Sequence, residues 1–379
     1  MRPSPALPPG LVRPALAAIA PYEPGRPIDE VRRERGLQSV VKLASNEGPF
    51  PPMPAALAAI ADAAAGQRLY PDAGAWALRD ALAAIHDVPA ERILVGNGVD
   101  SLIKLICLAC LDPGDQLAMG WPSFVSWRQG AATQAAEVVA VPLAADGAYD
   151  LDALAAAVGP RTKLVVVVSP NNPTGAAVTA GDLVRFLDAL PEHVLPCVDE
   201  AYFEFQPAGG HDAIALAREG RPVVALRTFS KVYGLAGLRV GYMVAPAALV
   251  SEIARIRNAF DVNAVAQAAA LASLADAPEH LPERIAMIAG ERAMTADGLR
   301  ALGLAPWPST ANFLFVEFGA DRVQAVNEGL LARGVIVRPA RAFGAPGALR
   351  ITIGRPEENA RMLVALAEVL AELGRAVPA

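Results

Sequence analysis

The stretch Arg227-Thr-Phe-Ser-Lys-Val-Tyr-Gly-Leu-Ala-Gly-Leu-Arg-Val-Gly-Tyr242 follows the apolar run Val223 to Leu226. It sets Lys231 among small hydroxyls and glycines, and a second cation, Arg239, comes eight positions later. An ammonium at the end of a buried strand loses hydration, which lowers its pKa and suits a nucleophilic amine. Thr228, Ser230 and Arg239 are donors of the kind a phosphate monoester accepts from. Taken alone, the Ser230-Lys231 pair reads better as a surface lysine in a loop after a strand.

Three further segments bear on that choice. Asp199-Glu-Ala-Tyr202 follows the apolar run Val194 to Val198. A carboxylate at the carboxyl end of a buried strand needs a partner to offset its desolvation. A protonated pyridine nitrogen is such a partner, and holding it protonated keeps the ring an electron sink. Ser169-Pro-Asn-Asn-Pro-Thr-Gly175 follows Leu164 to Val168, and its Asn172 is placed to donate to a phenolate oxygen. The same prolines and glycine also read as an ordinary tight turn. Arg350, in the β-prone run Leu349-Arg-Ile-Thr-Ile-Gly354, offers a fork for a carboxylate. Together, in this order, the four segments point to pyridoxal phosphate.

On these residues the chain resembles the fold-type I pyridoxal-phosphate aminotransferases, and among them the histidinol-phosphate aminotransferases. The resemblance runs from Lys42-Leu-Ala-Ser-Asn-Glu47 to the helix after Gly354. It takes in Arg68-Leu-Tyr-Pro-Asp72, Pro170 to Gly175, Val198 to Phe205, Ser309-Thr-Ala-Asn-Phe313 and Gly334-Val-Ile-Val-Arg-Pro339. It implies that Lys231 carries the cofactor as a Schiff base and moves the proton, that Asp199 binds the pyridinium nitrogen, and that Asn172 and Tyr202 hold the phenolate oxygen. It implies further that Phe124 stacks on the ring, and that Thr228, Ser230, Arg239 and the amides of Val99 and Asp100 hold the phosphate. Tyr70 matches a tyrosine that reaches the neighbouring subunit's site, which implies a homodimer. Arg350 matches the carboxylate-binding arginine, while Tyr22 and Arg338 match positions that meet the substrate phosphate. Arg338 also reads as an edge-strand arginine, and Tyr22 as a residue that docks the N-terminal arm. Two stretches depart from the family pattern: Asn46-Glu-Gly-Pro49, where many relatives have Asn-Glu-Asn-Pro, and Arg257-Asn-Ala-Phe260, where they have Arg-x-Pro-Phe.

The whole chain sets the limits of the reading. At 379 residues, 54% hydrophobic and 19% charged, it is globular and long enough for two domains. A net charge of −6 without Lys/Arg blocks gives no electrostatic reason to expect nucleic acid. No apolar run reaches the roughly 18 residues of a membrane span, and the Pro-rich start has no apolar signal core, so the expectation is a cytoplasmic protein. Cys107 and Cys110 form a C-x-x-C, but inside an apolar helix-like run, which favours core packing over redox chemistry. The histidines show no metal-ligand spacing.

Short β-branched runs alternate with Ala/Leu-rich helical ones, the pattern of an α/β fold with a mostly parallel sheet. Strands are expected at 92–95, 116–119, 138–141, 164–168, 194–198, 223–226 and 242–244. Helices are expected at 54–64, 75–86, 99–111, 151–157 and 179–189, and a helical stretch at 246–274 leaves the sheet domain. The segments 283–303, 312–318, 320–332, 335–337, 349–353 and 356–373 read together as a smaller α+β domain. With the resemblance, this divides the chain into an arm (1–45), a large domain with a seven-stranded sheet (46–250) and a linking helix with the small domain (251–379). Gly96-Asn-Gly-Val-Asp-Ser101 half matches a dinucleotide fingerprint, but its third glycine is Ser101. It reads instead as a second wall of the phosphate cup, at a helix N-terminus. The expected reaction is transamination between histidinol phosphate and 2-oxoglutarate; an aromatic amino acid aminotransferase is the alternative.

Overall fold

A computed structural model describes residues 8, 10–19, 21 and 25–375. A short strand, β1 (Val41–Lys42), precedes the seven strands of the main sheet. These are β2 (Ile93–Gly96), β3 (Gln116–Trp121), β4 (Glu137–Pro142), β5 (Thr162–Val168), β6 (Leu195–Asp199), β7 (Val224–Thr228) and β8 (Gly241–Val244). Their order is β2-β8-β7-β6-β5-β3-β4. Only β8 runs antiparallel to its neighbours, so the sheet is mostly parallel, as expected. Every residue of β7, and all but the second of β5, is buried, because helices cover both faces of the sheet. That is why these strands read as unbroken apolar runs. Since β5, β6 and β7 point the same way, the residues that follow them gather along one edge.

The remaining strands are β9 (Phe313–Glu317), β10 (Val335–Ile336), β11 (Arg338–Pro339) and β12 (Ala348–Thr352). They make an antiparallel sheet, β11-β12-β9, while β10 pairs in parallel with β1. One apolar cluster surrounds the main sheet; a second joins Leu43, Phe313, Leu349 and Leu366. Tyr202 and Val232, directly after Ala201 and Lys231, pack into the second cluster, so the ends of β6 and β7 meet it there.

The expected helices over the main sheet are present at Pro54–Ala64, Trp76–His86, Val99–Cys110, Leu151–Ala156 and Ala180–Ala189. The C-terminal half of the helical reading needs correction. The chain forms Ala247–Ile256, breaks, and then runs one 38-residue helix, Ala264–Ala301, through Pro278 and Pro282. Each proline costs a backbone hydrogen bond. The helix nevertheless continues, because it buries Ala266, Ala269 and Ala270 before the prolines and Ile288, Ala296 and Leu299 after them. Asn263 caps its start by accepting from the Ala266 N–H. Helices at Ile28–Arg35, Val125–Thr133 and Ala213–Arg218 were not foreseen from the sequence.

Cys107 is buried and Cys110 partly so, both as free thiols in Val99–Cys110. Burial pushes them up to about 12 and about 11, the chemistry of inert packing groups. Among the described residues, no helix is long and apolar enough to cross a membrane, and no cluster of His, Cys, Asp and Glu is arranged to hold a metal ion.

Candidate active site

A cavity of about 340 Å³ opens where the edge of the main sheet meets the second cluster. Lys231, Asp199, Tyr202, Asn172, Phe124 and Arg350 line it, together with Val99, Asp100, Thr228, Ser230 and Arg239. Asp199 closes β6 and is 1% exposed. Its Oδ2 accepts from Trp127 Nε1 at 3.2 Å and its Oδ1 from the Ala201 N–H at 3.3 Å, both neutral donors. Burial therefore raises this carboxyl to about 6, against the pull of those donors. The next residue, Glu200, is equally buried but receives Arg227 Nε at 3.0 Å and the Ala213 N–H at 2.8 Å. Of two adjacent buried carboxylates, one has its cation and the other faces the cavity without one.

Lys231, three residues past β7, directs Nζ at Ser45 O, 3.4 Å away. Burial, and then the charge of Arg350, brings the amine down to about 8. Arg350, near the middle of β12, donates through Nη2 to Ala44 O at 2.6 Å and through Nη1 to Asn172 Oδ1 at 2.5 Å. With its oxygen engaged, Asn172 keeps Nδ2 as its donating end.

The cup rests on glycines. Gly98, at φ +74°, caps Val99–Cys110, and a Cβ there would sit 2.5 Å from Arg239 Nη2. Gly241 lets β8 approach the start of the same helix; its Cβ would meet the Val99 nitrogen at 3.1 Å. Helix N-terminal amides, the Thr228 and Ser230 hydroxyls (3.0 Å apart) and the Arg239 guanidinium thus share one wall. An anion-binding cradle, a buried carboxylate lacking a cation and a lysine of lowered pKa fit pyridoxal phosphate.

The sequence model of the class I and II aminotransferase family matches residues 38–366. The chain belongs to this family. A histidinol-phosphate aminotransferase of Anaeromyxobacter sp. is 44% identical over 95% of this chain and 99% of its own. The histidinol-phosphate aminotransferase of Sinorhizobium meliloti, solved in complex with pyridoxal-5'-phosphate, superposes with a TM-score of 0.88 at 30% identity, covering 96% of this chain and 98% of its own. A Thermus thermophilus aspartate aminotransferase mutant reaches a TM-score of 0.82 at 26% identity, over 94% and 99% of the two chains. The aminotransferase fold therefore leaves the donor open.

Arg338, expected to meet the substrate, does not line this cavity; Tyr70, expected to reach the neighbouring subunit's site, stands outside the cavity of its own chain; and Tyr22 lies outside the described residues. Tyr70 is 81% exposed and stacks on Phe260, ring centroids 4.6 Å apart, away from the cavity of its own chain. Arg338 is buried on β11, directly across from Arg350 on β12. The two guanidinium groups share the Phe343 ring, at 5.6 and 5.1 Å, and Phe343 rather than Arg338 forms the cavity wall. Sequence reasoning missed Phe343, Trp127 and the direct contacts of residues 44–46. Trp127 lies on an unforeseen helix, and a backbone carbonyl such as Ser45 O leaves no signature in residue type.

Proposed function

We propose that this chain is a pyridoxal-phosphate-dependent transaminase of histidine biosynthesis, moving an amino group between histidinol phosphate and 2-oxoglutarate. The products are imidazole acetol phosphate and glutamate. What carries the reading is the convergence of Lys231, Asp199 and Arg350 on one cavity beside an anion cradle. The names of the Anaeromyxobacter and Sinorhizobium relatives support the choice of donor.

When bound, pyridoxal phosphate supplies the electron sink. Val99, Asp100, Thr228, Ser230 and Arg239 would hold its phosphate, and Phe124 would cover its ring. Asp199 would hold the ring nitrogen's proton, Asn172 and Tyr202 would donate to the ring oxygen, and Lys231 would anchor the reactive carbon. Once displaced by the incoming amine, Lys231 Nζ would take the proton from the substrate's amine-bearing carbon and deliver it to the cofactor carbon it had held. A base near pKa 8 suits that work at neutral pH. Donor and acceptor occupy the same site in turn, so kinetics are ping-pong.

Histidinol phosphate carries no α-carboxylate, whereas glutamate does, so one site must take two differently placed anions. Arg350 serves the carboxylate and Arg338, with Tyr22, the remote anion. Like charges directly across two strands repel, and a bound anion relieves that repulsion. Tyr70 acts in the neighbouring subunit of a homodimer, a role supported by the exposed apolar surface it shares with Leu69, Trp76 and Phe260.

The position of Arg338 behind Phe343 also favours a second reading, an aromatic amino acid aminotransferase, whose donor needs no remote anion site. Half-reactions separate the two. Mixed with histidinol phosphate, the cofactor-loaded protein is expected to lose its visible absorption band rapidly, and with phenylalanine slowly. Faster loss with phenylalanine would replace the substrate assignment.

A further inference from the structure

Three consecutive residues each meet one group that the proposed chemistry uses. Ala44 O accepts from Arg350 Nη2 at 2.6 Å, Ser45 O from Lys231 Nζ at 3.4 Å, and Asn46 Nδ2 donates to Tyr202 Oη at 2.8 Å. Asn46 is 1% exposed and sits at φ +53°, a left-handed conformation that asparagine tolerates better than most residues. A buried asparagine held in that conformation is fixed by its surroundings, here Thr352, Asn312 and Tyr202. Thr352 Oγ1 accepts from the Asn46 backbone N–H at 3.0 Å and donates to Asn46 Oδ1 at 3.0 Å. Asn312 Nδ2 donates to Asn46 O at 3.1 Å. Thr352 has a single hydroxyl proton, and placing it on Oδ1 leaves Nδ2 as the end that faces the phenol.

An amide N–H directed at a phenol oxygen occupies one of its lone pairs, so the O–H proton must point away from the amide. Donation into that oxygen also polarises the O–H bond and makes it a stronger donor. We propose that Asn46 is a positioning residue for Tyr202: it turns the phenol proton toward the cavity and sharpens it as a donor to an anionic oxygen bound there. The inference rests on the reading of Tyr202 as a donor to the cofactor's ring oxygen. Thr352 stands two residues after Arg350 on β12, so the strand that delivers the carboxylate-binding arginine also sets the amide that aims Tyr202.

The test is a spectrophotometric pH titration of the bound cofactor, read without turnover. A donor to the ring oxygen favours its anionic form and lowers the midpoint of the visible-band transition. Asn46→Ala should raise that midpoint by about 0.5–1 pH unit, the equivalent of one weakened hydrogen bond. In a Tyr202→Phe background the same substitution should move it by less than about 0.2 unit. Thr352→Val, which loosens the amide while leaving Asn46 in place, should raise the midpoint less than Asn46→Ala does, and it carries the test if Asn46→Ala fails to fold. An unchanged midpoint in both Asn46→Ala and Thr352→Val, or a rise that persists undiminished in the Tyr202→Phe background, overturns the inference. If Tyr202→Phe itself leaves the midpoint unmoved, the role given to Tyr202 falls first, and the role of Asn46 with it.

Discussion

The wall that carries Lys231 and Asp199 is delivered by parallel strands of one sheet, whereas the wall opposite draws on three separate places. Asn172, Asp199 and Lys231 each close or follow an apolar strand, so topology alone brings them to the edge. The substrate wall combines Arg350 on β12, Phe343 ahead of that strand and the backbone of residues 44–46. The difference matters chemically. The first wall can be built before anything binds, while under the proposed function the second must serve two anions of different shape. Rigid positioning is thus concentrated where the chemistry is constant, and the two-arginine arrangement where the ligand changes.

Asp199 and Glu200 offer the largest expected contrast within the first wall. Burial holds Asp199 at about 6 against an ordinary 3.8, so the folded, cofactor-free protein binds that proton more tightly than the unfolded chain does. The ionisation costs nothing below about pH 4 and destabilises progressively as pH rises through 6, reaching about 3 kcal/mol above it. Asp199→Asn should therefore stabilise the cofactor-free protein at pH 7.5 by about 2 kcal/mol while lowering kcat roughly 10²–10³-fold. Glu200→Gln, the same chemical change one residue on, should destabilise by about 3 kcal/mol because it strips Arg227 of a buried partner. Urea unfolding of the two variants checks this pair, and equal signs would break the contrast.

Next to the second wall, against Phe343, Arg338→Ala should slow the histidinol phosphate half-reaction about 10–100-fold, the worth of a charge-assisted contact. Phenylalanine should be affected by less than about twofold, since it presents no remote anion. Stopped-flow rates with both donors measure the split, and equal losses would show that Arg338 supports the wall without reading the substrate. The smallest effect is expected at Tyr70, on the proposed subunit boundary. Tyr70→Phe should weaken cofactor binding by about tenfold at most, one hydrogen bond's worth, with the dimer retained by sedimentation.

The same division explains what could be read in advance. Lys231, Asp199 and Asn172 were legible because a polar residue closing an unbroken apolar run has few structural uses. The strands of the main sheet were legible for the same reason. Asn46 lies in the Lys42–Glu47 stretch with no chemical role legible in its residue type, because its function depends on Thr352 and Asn312, about 300 and 270 residues away in sequence. The continuous helix Ala264–Ala301 was obscured by its own prolines, since local propensity argued for a break that packing on both cores prevents. Phe343 gave no signal, because an aromatic residue in a short loop reads as ordinary packing.

The most direct test of the account is where the cofactor is attached. The chain has four lysines, Lys42, Lys104, Lys163 and Lys231, so borohydride reduction of the loaded protein followed by peptide mapping gives an unambiguous answer. The account predicts the cofactor's mass fixed on Lys231 alone, and none fixed in Lys231→Ala. Label on another lysine, or none in cofactor-saturated protein, would contradict it.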